Sequence, residues 1–200
     1  MPYSSAVLFA ALMVWGSMSP VFACRGENSA TMVKPSFDRL VKVGPDQYNI
    51  KIGPGSSAGY ILATGPSHDF GFCVDVSILD SSDLQNTTMS IIFWSVPTGP
   101  KNAYYLQIRN GQYLIFHVLF DKIYELVPWT TEASIKKGLH ERNEVDVRVA
   151  ATGADVQING AQLTNIVARP SADAQDYGFD FATPKTSGVL FQVESPRIVK

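Results

Sequence analysis

The chain has 200 residues and a formal net charge of −2, which fits one domain and leaves no basic face for nucleic acid. It is 46% hydrophobic and 17% charged, so it has material for a packed core and not the composition of a disordered chain. Lys136, Lys137 and Arg142 come nearest to a basic run and read as a solvated face.

From Ala6 to Trp15 an uncharged apolar run leads to Gly16, Ser17, Ser19 and Pro20. An apolar stretch of about ten residues before small ones is the pattern of a secretory signal, too short to stay in a bilayer as a span. No Lys or Arg precedes the run, so its positive charge is the α-amino group alone. Residues 1–23 are therefore expected to be removed on export to the periplasm or the exterior. Cleavage after Ala23 leaves Cys24 first. The same VFAC, 21 to 24, resembles a bacterial lipobox, although Phe22 stands where a small residue is usual. Cys24 thus has two possible fates. It is acylated and anchors the protein to the envelope, the sole membrane contact expected, or it forms a disulfide with Cys73 that closes a long loop in an oxidising compartment. The two exclude each other.

Two cysteines and three scattered histidines make no ligand cluster, and no metal or other cofactor is expected. Asp80 to Asp83, and Asp173 with Asp176, are the acidic stretches nearest to a calcium loop, and neither has its spacing. There is no Gly-rich phosphate loop.

Residues 24–39 read as an arm or linker, and residues 40–200 as one domain of short strands. YNIKI (48 to 52) alternates. FGFCVDVSIL (70 to 79) puts Phe70, Phe72, Val74, Val76 and Ile78 on one face, with Cys73, Asp75 and Ser77 opposite. MSIIFWSV (89 to 96) is a strand in which Trp94 is in phase with Ile92. AYYLQIR (103 to 109) leads into Asn110-Gly111, a strong hairpin signal, and QYLIFHVLF (112 to 120) returns. TEASIKKGL (131 to 139) is the one segment with helical character. EVDVRVAA (144 to 151) and DVQIN (155 to 159) follow, closed by Asn159-Gly160. Strands every 8 to 12 residues, without βαβ alternation, predict an all-β, two-sheet antiparallel sandwich.

Several of these segments form a familiar series: Tyr104, Tyr105 and Ile108, then Asn110-Gly111, Trp129, and Ser134 to Gly138. Asn143, Val145 and Val147 follow, then Val156 to Gly160, and Gly188-Val189 open the last strand. Over roughly residues 40 to 200 the pattern resembles the concanavalin A-like, laminin-G-like jelly roll. It is similar in particular to exported bacterial domains of the keto-disaccharide hydrolase type. The resemblance implies two curved antiparallel sheets, with sugar commonly bound on the concave face.

The laminarinases and lichenases of that superfamily carry Glu-x-Asp-x-(x)-Glu on one strand. Here Glu144 and Asp146 begin the motif, but the third acidic position holds Arg148, or Val149 in the longer spacing. Arginine cannot protonate a leaving group at neutral pH. Glu144 and Asp146 remain the catalytic candidates, on one face at a Cα separation of roughly 6.5 to 7 Å. A salt bridge between Asp146 and Arg148 is the plainer reading, and it is the one adopted.

Alternation also lists the polar face. Tyr105, Gln107 and Arg109 oppose Tyr104, Leu106 and Ile108. On the next strand Leu114, Phe116, Val118 and Phe120 look like core, which leaves His117 on the polar side; Glu144, Asp146 and Arg148 face outward. If these strands are neighbours, Tyr105, Gln107, Arg109, His117, Asp146 and Arg148 share one surface. Planar hydrogen-bonding groups beside an aromatic ring suit a sugar. Trp129 reads as a packing anchor. The expected function is an exported, non-catalytic carbohydrate- or surface-ligand-binding module that meets a glycan or cell-surface polysaccharide. The alternatives are a glycoside-active enzyme of the keto-disaccharide hydrolase type and a structural envelope protein.

Overall fold

A computed structural model describes residues 28–29, 40–64, 70–96, 102–168, 174 and 176–199. The expected leader, its expected cleavage site and Cys24 lie outside the described residues. The described chain is all β, in two sheets. One runs β12 (Ala161–Val167), β11 (Gly153–Ile158), β10 (Asn143–Ala150), β5 (Phe70–Asp80), β14 (Val189–Val199), β3 (Gln47–Ile52) and β2 (Leu40–Gly44), with β1 (Asn28–Ser29) also paired to β14. The other runs β4 (Ser57–Thr64), β13 (Asp176–Ala182), β6 (Thr88–Ser95), β7 (Asn102–Arg109), β8 (Gln112–Leu119) and β9 (Lys122–Thr131). Neighbours pair antiparallel throughout, for example β10 with β5 and β7 with β8. The expected antiparallel sandwich is the observed fold.

Period-two alternation builds the core. Val145 pairs with Val74 and Ile158, and Val147 with Phe72 and Val156; all six are at most 1% exposed. Phe191 and Val193 of β14 join them. Against this layer the second sheet sets Ile91, Phe93, Leu106, Ile115, Tyr177, Phe179 and Phe181. Each large side chain so enclosed contributes about 1.5–3 kcal/mol of burial.

Four local features differ from the sequence expectation. In β8 Tyr113, Ile115 and His117 face inward, and Leu114, Phe116 and Val118 look away from the core, the reverse of the expected phase. The reason is the two-residue turn at Asn110-Gly111. It makes Arg109 face Gln112, Ile108 face Tyr113 and Leu106 face Ile115, and paired residues share a face. In β6 both Phe93 and Trp94 are buried. Trp94 has φ 51°, and β6 takes three steps from Ile92 to Ser95 where β13 takes two, from Gly178 to Asp176. This bulge turns the indole inward, edge-on to Tyr104 at 5.2 Å. Thirdly, Asn28 and Ser29, read as linker, pair with Ile198 and Arg197.

The fourth departure is the segment expected to be helical, which is an irregular loop instead. Ile135 drops into the core, and side chains replace the helical hydrogen bonds. Asn143 accepts from Lys136 N at 2.8 Å and donates to Lys136 O at 3.1 Å. Asn159 donates to Ser134 O and to Asn143 Oδ1, and accepts from Glu144 N. Asn110 Oδ1 accepts from Gly138 N at 3.3 Å. Lys137 lies so close over Gly111 that a Cβ there would stand 2.2 Å from Lys137 Cε. Asn143→Ala leaves Lys136 N and O unpaired, and urea unfolding should show a loss of about 2–4 kcal/mol. Lys136→Ala, at an exposed side chain, should stay within about 0.5 kcal/mol.

Candidate functional site on the outer face of the six-stranded sheet

The sandwich gives each sheet one face that looks away from the other, and the polar residues singled out in the sequence divide between these two faces. Tyr105, Gln107 and Arg109 lie together on β7, on the outer face of the six-stranded sheet. His117 is on β8 of the same sheet but faces the other way, because it pairs with the inward Tyr104. Its ring stacks on Tyr104 at 4.2 Å, its Nε2 is 2.8 Å from Asn102 Oδ1, and burial lowers its pKa. Asp146 and Arg148 belong to β10 in the other sheet. The single shared surface expected for the six residues is therefore corrected to three places.

On the eight-stranded sheet, Arg148 grips both oxygens of Asp146, with Nε at 2.8 and 3.1 Å and Nη2 at 3.0 Å. The arginine lies flat across Gly71, where a Cβ would stand 2.8 Å from its Cδ. Burial raises the Asp146 pKa, Arg148 opposes that rise, and Glu144 adds to it. A carboxylate that is 2% exposed and gripped through both oxygens is an ion pair rather than a proton shuttle. Glu144 sits two residues away on the same face, across from Asp75, which Arg142 engages. Arg142 also reaches Glu194 at 3.8 Å. Cys73 is fully buried beside Asp146 and is disulfide-bonded.

The acidic loop after β5 binds itself. Ser81 and Thr87 share a hydrogen bond of 2.8 Å, and Asp83 accepts from Asn86 N and Nδ2. Asp173 is outside the described residues. No group of three or more potential metal ligands occurs among the described residues.

The outer face of the six-stranded sheet is different in kind. Register sets Asp180, Ser90, Gln107 and Leu114 side by side across β13, β6, β7 and β8. Gln107 Nε2 donates to Thr88 Oγ1 at 3.2 Å and to Ser90 Oγ at 3.5 Å. On the next rung Arg109 Nε donates to Gln112 Oε1 at 2.9 Å, and the guanidinium lies 3.7 Å from the centre of the Trp129 indole. A second irregularity aims that indole. β9 takes three steps from Val127 to Thr130 where β8 takes two, at Pro128, which has no N–H for the ladder. Arg109, Gln107 and Trp129 are all half-buried.

Asp180 supplies the ionisable group. Burial pushes its pKa up to about 6, against the pull of the Phe181 backbone N–H. Tyr105 is pushed up to about 12, by burial first and by the Asp180 charge second. Tyr105 stacks on Phe116 at 4.8 Å with rings 2° from parallel. Sequence reasoning found Tyr105, Gln107 and Arg109 but missed Asp180, Ser90, Thr88, Gln112 and the functional placement of Trp129. For Asp180 a signal existed. Tyr177, Phe179 and Phe181 alternate as core, so a lone aspartate between the last two has to stand on the opposite face.

No family model and no curated protein matches the sequence. Solved structures match the fold. The carbohydrate binding module CBM66 from Bacillus subtilis aligns with a TM-score of 0.57 at 10% identity, over 88% of this chain and 99% of that one. A family 7 alginate lyase, A1-II′, gives 0.58 at 10% identity over 82% of each chain. A structure described with endo-acting O-glycanases of the human gut microbiota gives 0.58 at 7% identity over 89% of each. At these identities the likeness establishes the jelly-roll β-sandwich and nothing finer.

Proposed function

We propose that this protein is a carbohydrate-binding β-sandwich that holds a glycan on the outer face of its six-stranded sheet. The observation that carries this reading is the Arg109 guanidinium spread on the Trp129 indole beside Gln107. The guanidinium edge not engaged by Gln112 offers donors to hydroxyls, and the stacked guanidinium and indole give the apolar face of a sugar ring a flat surface to cover. Thr88, Ser90 and Asp180 extend the polar rung, and a glycan-binding protein is among those that share the fold.

Export belongs to the same proposal. The apolar leader supports it, and so does a disulfide at Cys73, since such bonds persist in oxidising compartments. A pairing of Cys73 with Cys24 is favoured over an acylated Cys24, which would leave Cys73 a free thiol. A second reading, glycan cleavage of the keto-disaccharide hydrolase type, draws support from Asp180. A carboxyl held near 6 is in the range of a general acid/base. In that reading Asp180, rather than Glu144 or Asp146, does the chemistry.

Two measurements test the proposal. On a glycan array followed by calorimetry, Arg109→Ala and Trp129→Ala should each lower affinity about tenfold to a hundredfold, or about 1.4 to 2.7 kcal/mol. Asp146→Ala should leave affinity unchanged and cost roughly 3 kcal/mol of stability. An array on which the wild-type chain retains no glycan sinks the reading. The second measurement is pH. Sugar hydroxyls donate to the ionised Asp180 and so favour its unprotonated form. Affinity should therefore rise between pH 5 and 7.5, through about 6, and Asp180→Asn should flatten the profile. Folding stability moves the opposite way. A carboxyl raised by burial destabilises the fold once ionised, so Asp180→Asn should raise Tm more at pH 7.5 than at pH 4. Reducing-sugar release lost in Asp180→Asn, with binding kept, would favour cleavage.

A further inference from the structure

We infer that the glycan held by the six-stranded sheet carries an apolar aglycone, seated on a stripe formed by Phe116, Val118, Phe120 and Ile123. This rests on the carbohydrate reading and deepens it.

Cross-strand partners share a face. Tyr105 pairs with Phe116, Ala103 with Val118, and Val118 with Ile123, so Phe116, Val118 and Ile123 lie on the face that carries Gln107 and Arg109, and Phe120 stands in the turn at their end. Its inner part is a second small apolar cluster on the far side of the sheet from the main core: Ile92, Ala103 and Tyr105, with Phe116 and Val118 packed against them. Its outer end is open, with Ile123 71% and Phe120 73% exposed.

The backbone adds an independent sign. Phe120 and Asp121 form the two-residue turn between β8 and β9, with φ 48° and 65°. That geometry suits Asn and Gly, and a bulky side chain there is strained. An aromatic ring that is held in strain and left in water gains nothing from folding, and such outliers point to function.

Dimensions select the occupant. Rungs on one face are about 7 Å apart and strands about 4.8 Å apart. One ligand can therefore place its polar part over Gln107 and Arg109 and its apolar part along the next rungs. From Phe116 to Phe120 the stripe runs about 13 Å along β8, enough for an alkyl chain of about eight carbons. Four side chains fall far short of the roughly 800 Å² per partner of a stable protein interface. The charged side chain of β9 beside the stripe is Glu125, which pairs with Phe116. A neutral apolar tail fits better than a second protein.

The test is calorimetry on the full chain with glucose, galactose and mannose, and with the octyl glycosides of the same three sugars below their micelle concentrations. The octyl glycoside of a bound sugar should bind at least tenfold more tightly than the free sugar. Ile123→Ser combined with Phe120→Asn, a residue the turn favours, should erase that gain and leave free-sugar affinity unchanged. Arg109→Ala should weaken both ligands by the same factor. A bound sugar whose octyl glycoside gains less than threefold, or a gain that survives the double variant, overturns the inference and leaves the carbohydrate reading standing. Octyl glycosides that bind without regard to Arg109 overturn both. Silence from all six ligands overturns the inference, as does a dimer that the double variant dissolves.

Discussion

The turn at Asn110-Gly111 decides which side chains of the central hairpin face inward. Two residues of turn leave one register, with Ile108 against Tyr113 and Leu106 against Ile115. A slip by one residue would carry every side chain of β8 to the other face. Tyr113 and Ile115 would then leave the core, and Leu114, Phe116 and Val118 would enter it. The outer face would lose Gln112, which accepts from Arg109, and Phe116, which stacks on Tyr105.

Regular strands alone would give this face a uniform pleat. Bulges break it, and two of them aim tryptophans. At Trp94 the extra residue moves the largest side chain of β6 inward, so the outer face loses a ring there and the core gains one. At Pro128 the extra residue swings Trp129 across to Arg109. Both spend ladder hydrogen bonds to re-aim an indole. The eight-stranded sheet instead uses charge pairs on its outer face, Arg148 with Asp146 and Arg142 with Asp75. Those groups satisfy one another and leave little chemistry to offer.

Strand alternation made much of this legible in the sequence. The valines of β10, the alternating face of β5 and both Asn-Gly turns are local features, and each has a fixed spacing. The outer face proposed to hold a glycan was legible where one strand displayed it whole, at Tyr105, Gln107 and Arg109. It was lost where members came from different strands, because which sheet a strand joins is a long-range property. Asp146 and Arg148 look equivalent to Gln107 and Arg109 in sequence but lie on the opposite side of the molecule. His117 was misplaced for a different reason. The count of apolar residues favoured Leu114, Phe116 and Val118 as core, and turn geometry overruled it. The helical look of residues 131 to 139 yielded to asparagine side chains that arrive from residues 110, 143 and 159.

Those three asparagines come from both layers. Asn110 closes the hairpin of the six-stranded sheet, whereas Asn143 opens β10 and Asn159 follows β11 in the eight-stranded one. The loop they hold, with Lys137 resting over Gly111, is therefore a clasp across the end of the sandwich. It can fasten only when the hairpin has closed and the two layers have met at the right offset. The segment acts as a gauge of assembly: a pair of layers displaced by one residue would leave the clasp undone and its amides open to exchange.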